Sequence, residues 1–172
     1  MARNIEIKAR LTDLAAARAL ARGCDAVPHV VEKQVDTYYA LDGGQRVKVR
    51  RINGGRRELI EYQRPEASGV RASDYTITPL TDDAPPPGEP VVVVRKRREV
   101  LLIDNVRVHL DQVDGLGTFL ELEAVVDAAH DDAVCRGQVD GIMAALGLRE
   151  SDLIRASYAE LLLAAKSAEN AT

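Results

Sequence analysis

Polar and apolar residues alternate along much of this chain, in runs that are typical of β-strands. The first run covers residues 4–11, in which Glu6 and Lys8 occupy alternate positions between apolar residues. A later run places Glu121 and Glu123 in the same way. Because successive strand side chains point to opposite faces, each run predicts a strand with one charged face and one apolar face. Glu121 and Glu123 would then lie roughly 7 Å apart on one face.

The same alternation, interrupted by turn residues, predicts about eight strands. They cover residues 3–11, 30–41, 46–52, 58–63, 71–78, 91–103, 106–111 and 118–126. The segments between them are predicted turns at 42–44, 53–55, 104–105 and 115–117 and predicted loops at 65–69 and 79–90. Since tight turns join consecutive strands, the sheet is predicted to be mostly antiparallel.

Helices are predicted near both ends of the chain. Thr12 or Asp13 can cap a helix rich in Ala and Leu, and Gly23 ends it. Residues 130–146 and 156–166 show the patterns of two further helices. A sheet with helices on one side needs an apolar face on which those helices can pack.

Lysine and arginine recur on the polar faces of the central strands, at Lys48, Arg50, Arg71, Lys96 and Arg98. An open sheet with one wet face would give this pattern, and for any single strand a solvated face is the ordinary interpretation. However, about eight antiparallel strands are enough to close into a barrel. If the helices then packed on the outside, the charged faces would line a hydrated channel, because buried charges need partners or water. The pattern leaves both arrangements open.

Composition narrows the class of protein. At 172 residues, with 46% hydrophobic and 29% charged residues, the chain is predicted to form one domain over residues 1–172. A net charge of −4 and only 3% aromatic residues argue against a nucleic-acid partner. Cys24 and Cys135 fit neither a disulfide framework nor a zinc site. No run approaches the roughly 18 apolar residues of a membrane span, so we expect no membrane segment and a cytoplasmic protein.

A set of short motifs resembles the CYTH, or triphosphate tunnel metalloenzyme, superfamily, and within it the class IV adenylyl cyclase-like branch. The family opens with E-x-E-x-K on its first strand, to which Asn4-Ile5-Glu6-Ile7-Lys8 is similar. The other similar segments are residues 47–50, 58–65, 71–75, 94–98, 106–111, 115–123 and 157–162. One motif alone is weak, but their order and spacing together are specific, and the likeness covers about residues 3–164.

The resemblance implies an α+β fold, a mostly antiparallel eight-stranded barrel that is closed or nearly closed around a tunnel, with flanking helices. It also implies a metal-dependent enzyme that acts on a triphosphate-containing small molecule with Mg²⁺ or Mn²⁺, and it suggests a homodimer. Carried over residue by residue, the metal ligands are Glu6, Glu121 and Glu123, with Asp111 as a weaker candidate. The phosphate-binding candidates are Lys48, Arg50, Arg71, Lys96, Arg98 and Lys8, of which Lys8 is also the catalytic candidate.

The opening motif departs from the family pattern in one position, because Asn4 replaces its first Glu. An amide oxygen can ligate Mg²⁺ but carries no charge, so we predict weaker occupancy of one metal position. The leading interpretation is a class IV adenylyl cyclase that converts ATP to cyclic AMP and pyrophosphate. The alternatives are a hydrolase of inorganic triphosphate, thiamine triphosphate or a nucleotide, and a non-catalytic binder of polyphosphate or nucleotide.

Single residues outside these motifs are given structural roles. His109 shares a predicted face with Asp111, and a hydrogen-bonding role in the fold is favoured over proton donation in the tunnel. Tyr38 and Tyr39 are predicted to pack rather than to stack on a base. Arg56 is predicted to lie in solvent at a turn or on the outer face.

Overall fold

The computed structural model describes residues 1–41, 45–63 and 69–169. Within these ranges the chain forms β1 (Ala2–Leu11), α1 (Leu14–Gly23), β2 (Val27–Ala40), β3 (Gln45–Ile52), β4 (Arg57–Gln63), β5 (Arg71–Leu80), β6 (Val92–Ile103), β7 (Val106–Val113), β8 (Gly117–Val125), α2 (Asp132–Ala145) and α3 (Tyr158–Glu169). A short 3₁₀ turn, Glu150–Asp152, lies between α2 and α3. None of the described helices is long and apolar enough to cross a membrane.

The eight strands close into a barrel in the order β1-β5-β4-β3-β2-β6-β7-β8, and β8 pairs again with β1. Every pairing is antiparallel. Most consecutive strands pair with each other, whereas β1 pairs with β5 and β8, which lie far away in the sequence. The structure therefore confirms the predicted closed antiparallel barrel and excludes the open sheet.

The predicted elements agree with the structure apart from their ends. β2 begins three residues earlier than predicted, at Val27, because its start pairs with Leu102 of β6. β5 continues two residues into a predicted loop, because its end pairs with the start of β4. The predicted turn at 42–44 and residues 65–68 of the other predicted loop lie outside the described residues.

Two local signals in the sequence determine how elements begin and turn. Asp13 is the N-cap of α1, and its carboxylate accepts hydrogen bonds from the backbone amides of Ala15 and Ala16 at 2.8 and 2.9 Å. Asn53 and Gly54 both have positive φ angles, 51° and 76°, in the turn between β3 and β4. Asn and Gly adopt such angles at the lowest steric cost, which explains their place in this turn.

The main hydrophobic core lies outside the barrel, between its outer face and the helices α1 and α2. Its buried members include Ile5, Ile7, Ala21, Leu120, Leu122 and Val139. The strand members of this set alternate with the charged residues of β1 and β8, so those charged residues point into the barrel. Of the two arrangements that the alternation pattern leaves open, the structure therefore has the one in which the charged faces line an enclosed channel, as the family resemblance implies.

The start of α3 has a different role, because it closes one end of the barrel. Tyr158 and Ala159 form a second apolar cluster with Val92, Val94 and Phe119, which lie on the inner faces of β6 and β8. The rings of Phe119 and Tyr158 meet edge to face, with their centroids 4.9 Å apart. Tyr158 at the start of α3, packed against Phe119 of β8, thus closes the channel at the end where the inward-facing side chains are apolar.

Candidate functional site

The interior of the barrel holds a cavity of about 330 Å³, which is in the range of small-molecule sites, about 300–1,000 Å³. Eight of the ten predicted site residues line it: Glu6, Lys8, Lys48, Arg50, Lys96, Arg98, Glu121 and Glu123. Arg71 lines a smaller cavity that it shares with Glu6, and Asp111 is fully buried beneath Arg98. Barrel closure thus brings together residues that are more than a hundred positions apart in the sequence.

Lys48 and Arg50 are held in place by Asp36, a residue that the motifs did not single out. The Asp36 carboxylate accepts hydrogen bonds from Lys48 Nζ at 2.8 Å and from Arg50 Nε at 2.7 Å. Burial would raise the pKa of this carboxyl, but Arg50 and Lys48 outweigh burial and hold the pKa well below its usual range. Asp36 therefore stays charged and fixes two cations on the cavity wall. Its position in the alternation of β2 is the signal that could have identified it.

Asp111 fixes a second pair of cations. Its carboxylate accepts a hydrogen bond from Arg98 Nε at 2.7 Å and lies 3.5 Å from Lys96 Nζ. The hydroxyl of Tyr158 donates to the same carboxylate at 2.9 Å, which links the start of α3 to the interior. Burial favours a raised pKa for Asp111, but Arg98 and Lys96 lower it to about 2. In this structure Asp111 anchors basic residues, while its predicted role in the metal shell stays a prediction.

The charge of Lys96 depends strongly on its surroundings. Its side chain is 3% exposed. Burial, with a further contribution from the positive charge of Arg98, lowers the pKa of Lys96 to about 7, although Asp111 opposes this shift. Lys96 therefore changes between its charged and neutral forms near pH 7.

Lys8 lies between the acidic and basic parts of the wall. It is the register partner of Glu121 on the neighbouring strand, and its Nζ lies 3.2 Å from Glu121 Oε1. The same ammonium lies 3.9 Å from the centre of the Tyr158 ring. Arg98 also donates to Glu121. Burial raises the pKa of the Glu121 carboxyl less than Arg98 and Lys8 lower it, so the pKa remains well below its usual range.

His109, Glu121 and Glu123 form a compact group whose ligand atoms all lie within 4.8 Å of one another. The Nδ1 atom of His109 is buried, has no hydrogen-bond partner among the described residues, and lies 3.7 and 3.6 Å from the two carboxylates. Burial and the charge of Arg98 lower the pKa of His109, so the imidazole is neutral at neutral pH and has a lone pair to offer. Two carboxylates and a neutral imidazole fit a divalent cation.

Two of the predicted metal ligands, Glu121 and Glu123, belong to this group, and their binding of a metal stays a prediction. The third member is His109, for which the sequence favours a structural role. Glu6 is the register partner of Glu123, but it is not in the compact group and its Oε1 lies 3.3 Å from Arg71 Nε. Arg71 also donates to the backbone oxygen of Arg155 at 2.8 Å, just before α3. Alternation with Asp111 along β7 was the only sequence signal for His109.

Asn4 lies inside the barrel, 4% exposed, at one edge of the acidic group. Its side-chain oxygen accepts a hydrogen bond from Nη2 of Arg107, and that same Nη2 lies 3.0 Å from Glu123 Oε2. Burial would raise the pKa of the Glu123 carboxyl, but the charges of His109 and Arg107 outweigh burial and lower the pKa to about 2. The guanidinium of Arg107 therefore lies next to the position at which Asn4 replaces the first Glu of the family motif.

Fold and site together identify the class. The chain belongs to the CYTH domain family, whose model matches residues 2–158. Members of this family are typically metal-dependent enzymes that act on triphosphates, and the resemblance predicted from the motifs is thus confirmed.

Individual relatives agree with this assignment. "Putative adenylate cyclase MJ0240" of Methanocaldococcus jannaschii is 38% identical over 69 residues, which is 40% of this chain and 39% of that protein. The solved structure of the PH1012 protein of Pyrococcus horikoshii OT3 is 24% identical, covers 92% of this chain and 98% of its own, and has a TM-score of 0.80. A "putative adenylyl cyclase" from Hippeastrum is 16% identical, with 84% and 88% of the chains covered and a TM-score of 0.58. The two solved structures support the fold.

Proposed function

We propose that this protein is a divalent-metal-dependent enzyme that acts on a triphosphate inside the barrel, and that its leading reaction is conversion of ATP to cyclic AMP and pyrophosphate. The observation that carries the proposal is the convergence of Lys8, Lys48, Arg50, Lys96 and Arg98 on one cavity beside a His–Glu–Glu group. Because phosphoryl transfer spreads negative charge over phosphate oxygens, such a wall of fixed cations stabilises the transition state mainly by electrostatics.

The roles of the cations follow from their chemistry and their anchors. Arg50 and Arg98 present planar forks that can bind two phosphate oxygens at once, whereas Lys48 and Lys96 act as point charges. Asp36 and Asp111 hold these side chains before the substrate arrives, so little ordering is needed on binding. In the leading reaction the ribose 3′-oxygen attacks the α-phosphorus and pyrophosphate leaves.

The acidic group supplies the metal site in this proposal. His109, Glu121 and Glu123 would hold Mg²⁺ or Mn²⁺, with Glu6 next to them across the β1–β8 pairing. A bound divalent cation would neutralise phosphate charge and polarise the attacked phosphoryl group. Lys8, which contacts Glu121, lies at the boundary between the metal site and the phosphate-binding cations and is proposed as the catalytic lysine.

A triphosphatase is the second candidate. The same charged wall would bind the phosphates whatever organic group they carry, and water could replace the ribose oxygen as the attacking group. The Hippeastrum protein is described as having a dominant triphosphatase activity, which favours hydrolysis as a second possible reaction of this chain. A non-catalytic binder is the third candidate, because the Arg107 guanidinium already pairs with Glu123 and Asn4 adds no charge to the acidic group.

Product analysis separates these candidates. The protein is incubated with ATP, tripolyphosphate or thiamine triphosphate, each with Mg²⁺ or Mn²⁺, and the products are identified by chromatography. Cyclic AMP with pyrophosphate supports the cyclase, and release of orthophosphate supports the hydrolase. Tight binding of tripolyphosphate without turnover under any condition would refute both enzymatic proposals.

A pair of variants on one strand tests whether the barrel interior is responsible. Lys96→Ala removes a cation of the cavity wall, whereas Arg97→Ala removes an exposed cation from the outer face at the next position. We expect tripolyphosphate to raise the melting temperature of the wild type and of Arg97→Ala, but much less that of Lys96→Ala. Equal stabilisation of all three proteins would contradict binding inside the barrel.

A further inference from the structure

Gln34 is a buried polar residue of the cavity wall. It lies on the inner face of β2, is 3% exposed, and lines the cavity. Its Nε2 atom donates to Glu32 Oε2 at 2.6 Å. Its Oε1 atom is buried and has no hydrogen-bond partner among the described residues. A buried carbonyl oxygen without a donor costs free energy, so such an atom on a cavity wall calls for a donor from a ligand.

The orientation of this amide is determined by its neighbour. The Glu32 carboxylate lies 3.6 Å from the guanidinium of Arg56 and can only accept hydrogen bonds. The amide nitrogen of Gln34 must therefore face Glu32, and the amide oxygen must face away from it. Phosphate oxygens are also hydrogen-bond acceptors, so Gln34 Oε1 cannot form a hydrogen bond with the phosphate chain of a ligand. It requires an N–H or O–H group as the donor.

The position of Gln34 along the channel indicates which part of a ligand it meets. β2 reaches the end closed by α3 at Tyr38, which packs in the apolar cluster there. Glu32 lies six residues before Tyr38, about 20 Å along the strand, and so belongs to the opposite end. Gln34 lies between Glu32 and the cation-binding Asp36, and its register partners are the apolar Ile52 on β3 and the cation Lys96 on β6. At this depth an apolar part of the wall therefore adjoins the cationic part.

We propose that Gln34, oriented by Glu32, accepts a hydrogen bond from the organic part of an organic triphosphate and thereby selects such substrates over inorganic tripolyphosphate. This inference rests on the proposed function, because it assumes that the triphosphate occupies the cationic part of the cavity. The donor is an N–H or O–H group, which a nucleotide can supply from an amino group of its base or from a ribose hydroxyl.

Binding measurements distinguish these two sources. Dissociation constants are measured by titration calorimetry in EDTA, so that no turnover occurs, for ATP, ITP, 2′-deoxy-ATP, 3′-deoxy-ATP and tripolyphosphate. If the base amine is the donor, ITP should bind about tenfold more weakly than ATP, the size of one buried hydrogen bond. If a ribose hydroxyl is the donor, one deoxy-ATP should show that loss and ITP should not.

Three variants make the test specific. Gln34→Leu should weaken ATP about tenfold and leave tripolyphosphate unchanged. In Glu32→Gln, the residue at position 32 can donate as well as accept, so the Gln34 amide is no longer held in one orientation. Either its oxygen or its nitrogen can then face the ligand. The difference in affinity between ATP and its weakest-binding analogue should therefore decrease. Glu58→Gln, which changes another carboxylate of the cavity wall, is the matched control and should preserve the discrimination.

The outcomes separate this proposal from the proposed function. Equal affinity of the wild type for ATP and all three analogues, together with unchanged ATP binding by Gln34→Leu, would overturn the role of Gln34 and would mean that water serves the acceptor. Failure of the wild type to bind tripolyphosphate at all would instead refute triphosphate binding in the cavity. Loss of discrimination in both carboxylate variants alike would contradict the specific role of Glu32.

Discussion

Triphosphate binding should draw a proton into the barrel at Lys96. In the free protein, burial together with the charge of Arg98 lowers the pKa of this lysine to about 7. A bound triphosphate places negative charge beside the ammonium and favours its charged form, so the pKa should return towards the ordinary value of 10.5. The perturbation to be tested is therefore ligand binding at a pH between these two values.

The expected size follows from the two pKa values. At pH 8, one unit above the free pKa, about a tenth of Lys96 is protonated, and after binding nearly all of it is. Binding should therefore take up about 0.9 protons per site. The affinity should fall about tenfold per pH unit between pH 7 and pH 10, because each unit adds about 1.4 kcal/mol to the cost of protonating Lys96.

The same shift has a defined sign for folding. Between pH 7 and pH 10.5 the unfolded chain carries a proton on Lys96 that the folded protein has lost. Because the unfolded state then binds more protons, the contribution of Lys96 to stability rises with pH across this window and is lost as the pH falls through it. Bound triphosphate should remove this dependence.

Proton uptake is measured by titrating the protein with tripolyphosphate in EDTA at pH 8, in buffers that differ in ionisation enthalpy. The dependence of the observed heat on that enthalpy gives the number of protons bound. Lys96→Arg is the matched control, because a guanidinium stays charged at this pH and should bind tripolyphosphate without proton uptake. Uptake below about 0.2 protons in the wild type, or equal uptake in both proteins, would refute the reasoning.

Three further substitutions test other parts of the structure. Asn4→Glu should strengthen Mn²⁺ binding, measured by electron paramagnetic resonance, because it adds a charge beside the acidic group, and unchanged affinity would count against Asn4 belonging to the metal shell. Asp36→Asn should destabilise the fold by about 3–5 kcal/mol, because Lys48 and Arg50 lose their counter-charge, and tripolyphosphate should stabilise this variant more than the wild type in thermal melts. Asp13→Ala should cost about 1 kcal/mol in urea unfolding through loss of the N-cap of α1, and a change within error would show that the cap contributes little.

Much of the barrel could be predicted because its signals are local. The alternation around Glu6 and Glu121 depends only on strand periodicity, and the cap at Asp13 only on neighbouring amides. The predicted ends of the strands are less accurate. The start of β2, for example, is determined by its pairing with Leu102, which lies about 75 positions later in the sequence. Long-range pairing extends strands beyond what local composition indicates.

The functional site could be predicted only as a set of residue types. Alternation and resemblance identified the cations, but not that Asp36 and Asp111 hold them in pairs. His109 was given a structural role, because nothing in its immediate sequence shows that two carboxylates face its ring. Such contacts depend on which strands become neighbours when the barrel closes.

By itself, the sequence determined which residues share a strand face, that one face of each strand is charged, and that the chain resembles the CYTH family. Those properties follow from a two-residue period and from motif spacing, which are readable without knowing the fold. Only the tertiary structure decided that the charged faces point inward, that α3 closes one end through Tyr158, and that the Gln34 oxygen has no donor within the described part of the chain. These features arise from closure of β1 onto β8, a pairing between the two ends of the sheet, so no local pattern encodes them.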